Sequence, residues 1–202
     1  MFSDMLAEHL IYSTAIAVIA GMLFFHYTGR DSSWIIILCT YIPDLDKISD
    51  FLFNHVGFTV LFEGHPIHHG TFHNVAAMLI FGVIIAFLLH PLGIQFFDAM
   101  IFTIIGFGAH LFEDALVYPS DYMYLWPFSR EKMGLGWLPV GGSEESYTAN
   151  FFHIANTEVL FIGLVVLLVA ILIRTWIEGS GWIRWYLPEG LYQKYFMGDK
   201  IS

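Results

Sequence analysis

Four apolar stretches constrain this chain more than any other feature: Leu10 to Tyr27, Val75 to Phe97, Ala99 to Tyr118 and Thr157 to Ile177. Each comes close to the roughly 20 mostly apolar residues that a helix needs to cross the hydrocarbon of a bilayer. The composition agrees, with 57% of 202 residues hydrophobic and 13% charged, where a soluble domain carries about a quarter charged residues. The expected fold is all-α: a polytopic membrane helical bundle of four spanning helices plus a short, partially penetrating helix. No second module or long polar linker interrupts the apolar blocks, so residues 1–202 read as a single integral membrane domain with the lipid bilayer as its partner. No nucleic-acid partner is expected, and the oligomeric state is left open.

Local signals refine the spans. Pro91 and Gly93 should end the second helix near His90, leaving Leu92 to Phe97 as a turn into the third. Trp34 to Ile42 is too short to cross: at about 1.5 Å per residue it rises roughly 13 Å before Pro43 stops it. Irregular backbone at that depth is tolerated only under cover of neighbouring helices or against a wet cavity. Gly134, Gly136, Pro139, Gly141 and Gly142 mark a long extramembrane loop at about 119–150, and loops of that length are often functional. A short polar tail follows from about residue 178. Met1 to His9 carries Asp4 and Glu8 but no Lys or Arg, the wrong charge for a cleaved signal peptide, so the first helix is expected to be retained. Cys39 is the single cysteine, which rules out an intrachain disulfide and a cysteine metal cage.

Threading the chain back and forth brings five elements to one side: the start of the first helix at His9, the end of the short run at Asp44 and Asp46, the histidine-rich stretch 65–73, the end of the Ala99 to Tyr118 helix, and the start of the last. That side holds thirteen acids against Lys47, Arg130 and Lys132, while the other holds five of each sign; 3 − 13 = −10 is the whole net charge. Five Lys and Arg against three would place the acidic face outside the cytoplasm by the positive-inside rule. Trp176, Trp182, Trp185 and Tyr186 fit an interfacial aromatic anchor.

The acidic face also carries residues suited to chemistry. Asp44 and Asp46 end the short run, and two carboxylates at membrane depth are costly unless something positive compensates them. His110 and Asp114, four apart on one helix, project from the same face and can bind one ion together. Glu113 is turned about 100° away from Asp114 and is not expected to join them. His65, His68, His69 and His73 crowd just before a span, and neutral imidazole is the commonest metal ligand. Spacing leaves open whether His69 shares a helical face with His73 or Gly70 breaks the helix and lets His68 pair with it. His9 lies on the same side. His153, Asn156 and Glu158 could contact a substrate, whereas His26, His55 and His90 have no such company and read as structural.

The ordered set of His9, Pro43-Asp44-Leu45-Asp46, His68-His69-Gly70-Thr71-Phe72-His73-Asn74, His110 through Asp114 and Trp126-Pro127-Phe128 resembles the YdjM-like family of predicted membrane-bound metal-dependent hydrolases, of the LexA-regulated inner-membrane type. The resemblance runs from His9 to about Phe128. Where the family shows His-Arg-Gly-x-Thr-His-Ser, this chain has His69 for the arginine, Phe72 for the threonine and Asn74 for the serine, and keeps His68 and His73. It implies a multi-pass protein of the cell (inner) membrane with hydrolase activity. The metal ligands expected are His9, Asp44, Asp46, His68, His73, His110 and Asp114, with Asp46 and His68 also taking part in catalysis.

The expected cofactor is a divalent metal ion, zinc first and manganese or iron next, as one ion or two. Such a centre would activate water against an ester or phosphoester, and its depth suits a lipid-like substrate. The alternative is a metal transporter or a metal-binding membrane protein without hydrolytic activity. Transport needs a polar path on both sides of the site, and the far halves of the spans offer no ionisable residue. The orientation has its own test: a cysteine introduced near Glu144 should label from outside intact cells, and labelling only after permeabilisation would reverse it.

Overall fold

A computed structural model describes residues 6–57, 59, 61–62, 65–67, 70–120, 122–137 and 157–187. Among the described residues four helices are long and apolar enough to span a bilayer, as expected: α1 (Leu6–Thr28), α4 (Val75–Leu89, continued by a 3-10 turn His90–Leu92), α5 (Phe96–Val117) and α6 (Thr157–Glu178). Between α1 and α4 lie the short α2 (Trp34–Cys39), a 3-10 turn Pro43–Leu45 and α3 (Asp46–Val56). A two-residue antiparallel ladder pairs Leu61–Phe62 with His65–Pro66.

The helix ends follow from local chemistry. Asn74 caps α4: its side chain accepts the Ala77 N–H at 2.9 Å and donates to the Thr71 carbonyl at 2.8 Å, satisfying an N–H that the first turn leaves without a helical partner. The 3-10 turn after α4 closes on Gly93 at φ 85°, the left-handed conformation that glycine takes without a Cβ clash. α5 begins at Phe96, three residues earlier than its apolar run suggests.

α5 is the central helix, with 56% of its span buried in the protein against 11% for α4 and 17% for α6. It packs on α4 along one side and on α1 and α2 along the other, while α6 packs on α1. The partial helix is shorter than its apolar run, six residues, because Pro43 has no N–H to continue it. The chain instead steps on through single turns, Ile42 N–H to the Cys39 carbonyl and Leu45 N–H to the Ile42 carbonyl. Cover comes from close packing: Ile35, Ile36, Cys39 and Ile42 are buried together with Ala17, Phe102 and Phe107. Gly106 makes the approach possible, since a Cβ there would stand 2.5 Å from the Ile36 carbonyl oxygen and 2.9 Å from its Cα. Small residues serve this purpose at helix contacts in membranes.

The end of the bundle away from His9, His73 and His110 is tied by ion pairs. Arg174 of α6 is fully buried and donates to Asp31 at 2.6 Å, to Glu178 at 3.1 Å and to the Val18 carbonyl at 3.2 Å. Its guanidinium lies 5.0 Å from the centre of the Trp182 ring. Ser33 and Tyr186 share a 2.5 Å hydrogen bond beside it. The absence of a side chain at Gly21 gives this group room, because a Cβ there would crowd Asp31, Ser33 and Arg174. Arg30 holds Asp98 through two nitrogens at 2.8 and 3.1 Å. Trp182 is therefore a buried partner of Arg174, in addition to the interfacial aromatic expected of it. Removing one member of a buried pair leaves the other uncompensated and costs about 3–5 kcal/mol. Arg174→Met should lower stability by that amount in detergent denaturation and Arg174→Lys by less; equal stability of all three proteins would contradict it.

Candidate metal centre

Four side-chain atoms from three elements converge at the other end. Asp44 arrives on the 3-10 turn, His73 just before the Asn74 cap, and His110 and Asp114 from one face of α5. His73 Nε2 and His110 Nε2 are 3.3 Å apart and lie 3.2 and 3.4 Å from Asp114 Oδ2. Asp44 Oδ1 stands 3.8 Å from His73 Nε2 and 3.9 Å from His110 Nε2. Four ligands at about 2.0–2.1 Å from a tetrahedral ion would be about 3.3–3.4 Å from one another. Three of the atoms already have that spacing. Asp44 Oδ1 is about half an ångström further out, where the Lys47 ammonium holds it at 2.8 Å. Two imidazoles with two carboxylates also suit zinc, manganese or iron by donor type.

His9, at the start of α1, enters from the side. Its ring stacks on His110 at 4.1 Å and its Nε2 lies 3.7 Å from Asp114 Oδ1. His9, His110 and Asp114 thus form a second group of possible ligands beside Asp44, His73 and His110. The other His9 nitrogen bonds Glu113 Oε2 at 2.8 Å. Glu113 is therefore part of the site, contrary to the expectation from its helical angle. α5 is enclosed on several sides, so a residue 100° from Asp114 still faces protein, and Glu113 is buried.

Asp46 is brought to the site but stands behind His73. Its Oδ2 accepts the Gly70 N–H at 2.9 Å and the Phe72 N–H at 3.1 Å, and lies 3.6 Å from His73 Nδ1. Such a carboxylate orients a ligand histidine and leaves its other nitrogen facing the centre. His68 and His69 lie outside the described residues, as do His153 and Asn156. His26, His55 and His90 are exposed. The loop after α5 is more ordered at its start than its glycines suggest: Leu135 and Gly136 donate to the Ala115 carbonyl, and Tyr122 pairs with Met133. Tyr122 stacks on His73 at 4.4 Å, with Gly70 at φ 96° beneath its ring. The concentration of Tyr118, Tyr122, Tyr124 and Trp126 was the available sequence signal for this cover.

Electrostatics bear on ion binding. Glu8, Asp46, Glu113 and Asp114 are buried and Asp44 nearly so, with Lys47 the one buried Lys or Arg beside them among the described residues. Burial pushes the Asp44 carboxyl up, but the nearby His110 ring and Lys47 ammonium outweigh it and hold the group below its usual range. For His73, burial alone would lower the pKa; hydrogen bonding and attraction to Asp114 and Asp46 overcome this and push it up to about 9.

A protonated His73 thus stabilises the metal-free fold, and this contribution is complete below the ordinary value of 6.5 and lost as pH rises through about 9. Metal-free protein should lose about 3 kcal/mol of stability across that window. Because a ligand histidine must shed its proton, metal affinity should climb over the same range, by up to about tenfold per pH unit. Denaturant unfolding with chelator and metal titration at pH 6, 7.5 and 9 read the two slopes; flat profiles would contradict both.

Residues 4–181 match the model of a family described as YdjM inner membrane protein. No curated protein and no solved structure matches the chain. The family match covers all four spans and every residue of the cluster, so the chain belongs to the YdjM inner membrane protein family.

Proposed function

We propose that this protein is a membrane-embedded metal-dependent hydrolase acting on an ester or phosphoester of a lipid-like substrate. The observation that carries the reading is the convergence of His73 Nε2, His110 Nε2, Asp114 Oδ2 and Asp44 Oδ1 at spacings close to those of a tetrahedral ion's ligands. A divalent ion bound there, zinc first by donor set, would supply Lewis-acid charge and lower the pKa of water toward neutrality. The His9 group beside it gives room for one ion or two.

The chain's own residues do the rest. Asp46 stands on the Nδ1 side of His73 and Glu113 holds Nδ1 of His9 by a hydrogen bond, so that Nε2 of each is presented inward. Asp114 offers Oδ2 to His73 and His110 and Oδ1 toward His9. Tyr122 covers the outer face of His73. His68 enters on sequence grounds, as a further ligand or catalytic histidine. His110 lies seven residues before the end of α5, about 10 Å along the helix. An amphiphile could bring its polar group to that depth while its chains remain in the bilayer. The excess of Lys and Arg on the opposite face, five against three, supports an acidic, histidine-bearing face outside the cytoplasm.

The alternative, transport of the ion, lacks a route among the described residues. Between the two polar ends the interior is filled by Ala17, Ile35, Ile36, Phe102 and Phe107, and the Thr103 hydroxyl donates to the Ala99 carbonyl of its own helix. Metal analysis of protein purified in detergent should find at least one ion per chain, lost in His73→Ala, His110→Ala and Asp114→Ala. Asp46→Asn should keep the ion with about 10–100-fold weaker affinity. Headgroup or phosphate release from a lipid panel should require the ion; uptake into proteoliposomes without turnover would reverse the reading in favour of transport.

A further inference from the structure

Lys47 sits in the first turn of α3, three residues after Asp44, and is buried. Its ammonium touches Asp44 Oδ1 at 2.8 Å, the same oxygen that is turned toward His73 Nε2 and His110 Nε2. The other cations described at this end, Arg130 and Lys132, are exposed. Arg30 and Arg174 belong to the opposite end, where each is paired with an aspartate.

A lysine that shares this oxygen with an ion stays within reach of whatever the ion binds. With an ion about 2.0–2.1 Å from Asp44 Oδ1, the ammonium would lie no more than about 5 Å from it. Two cations would then flank one carboxylate oxygen, offsetting the buried acids around them. A neutral carboxylic ester offers one carbonyl oxygen and gathers negative charge there only in its tetrahedral intermediate. An anionic phosphoryl group has several non-bridging oxygens and can address both at once, and clamping by Lys together with a metal ion is a common way of holding such groups.

We propose that Lys47 is the phosphoryl-binding residue of this centre, and that the substrate is an anionic phosphoester whose non-bridging oxygens bridge the bound ion and the Lys47 ammonium. The proposal rests on the metal-dependent reading above and narrows its substrate from esters in general to phosphoesters. Lys47 takes no part in holding the ion; by competing for Asp44 Oδ1 it opposes ion binding slightly.

The test uses the full chain in detergent, zinc as the metal and inorganic phosphate as the probe, with binding followed by calorimetry. Lys47→Met should keep zinc at wild-type stoichiometry, with equal or tighter affinity, while phosphate binding to the zinc-loaded protein weakens at least tenfold. Lys47→Arg should keep phosphate affinity within about threefold, since the charge-assisted contact survives. Phosphate binding unchanged in Lys47→Met would overturn the proposal alone. Zinc lost together with phosphate in that variant would show Lys47 to be a support for Asp44, and would also overturn it. A wild-type protein that binds no zinc or other divalent ion would instead overturn the metal-dependent reading beneath it.

Discussion

The close approach of α2 to α5 at Gly106 is the contact on which the rest of the structure depends. The six-residue helix and its following turns cannot face lipid, because their backbone is irregular and polar. They are accommodated because α5 has no side chain where the Ile36 backbone passes. Once seated, this segment connects the two ends of the bundle. Asp31 precedes it and pairs with Arg174, and Asp44 follows it and joins the histidines. α5 behaves similarly, with Asp98 held by Arg30 at one end and His110 and Asp114 at the other.

The two ends handle buried charge differently. At the Arg174 end Asp31, Asp98 and Glu178, the carboxylates among the described residues, each have a guanidinium. At the histidine end carboxylates outnumber cations, and imidazoles fill the remaining positions. A histidine can be a proton carrier or a neutral ligand, so this end can be balanced by protons or by an ion. The first end is suited to holding helices together, the second to binding.

Much of this was legible in the sequence. Hydropathy and length gave the four spans, and Pro43 gave the halt of the short helix. Side-by-side threading brought His9, Asp44, His73, His110 and Asp114 to one end, where the structure gathers them. Three features were not legible. Helical angle separated Glu113 from Asp114, but angle says which way a residue points and not what lies there; with α5 enclosed by α1, α2 and α4, both acids meet protein. Arg174 lies near the end of an apolar run and resembles an ordinary interfacial cation until Asp31, 143 residues away, is placed beside it. Asp46 resembles Asp44 in sequence, and only the fold of residues 70–72 shows that its carboxylate is occupied by backbone N–H groups. The exchange of serine for Asn74 relative to the family pattern costs the fold little, because asparagine caps a helix as well as serine does.

The dependence of α2 on α5 also sets an order of events during synthesis. The short segment leaves the ribosome about 60 residues before Gly106 does, and until α5 inserts it has no dry surface to lie against. It must wait at the membrane interface while α4 crosses, and then settle as α5 arrives. Asp44 enters the bundle in that step, and His110 and Asp114 are carried in by the helix that allows it. The cluster therefore comes together late and at once, so a nascent chain interrupted before His110 would carry His9, Asp44 and His73 and still lack the helix that joins them.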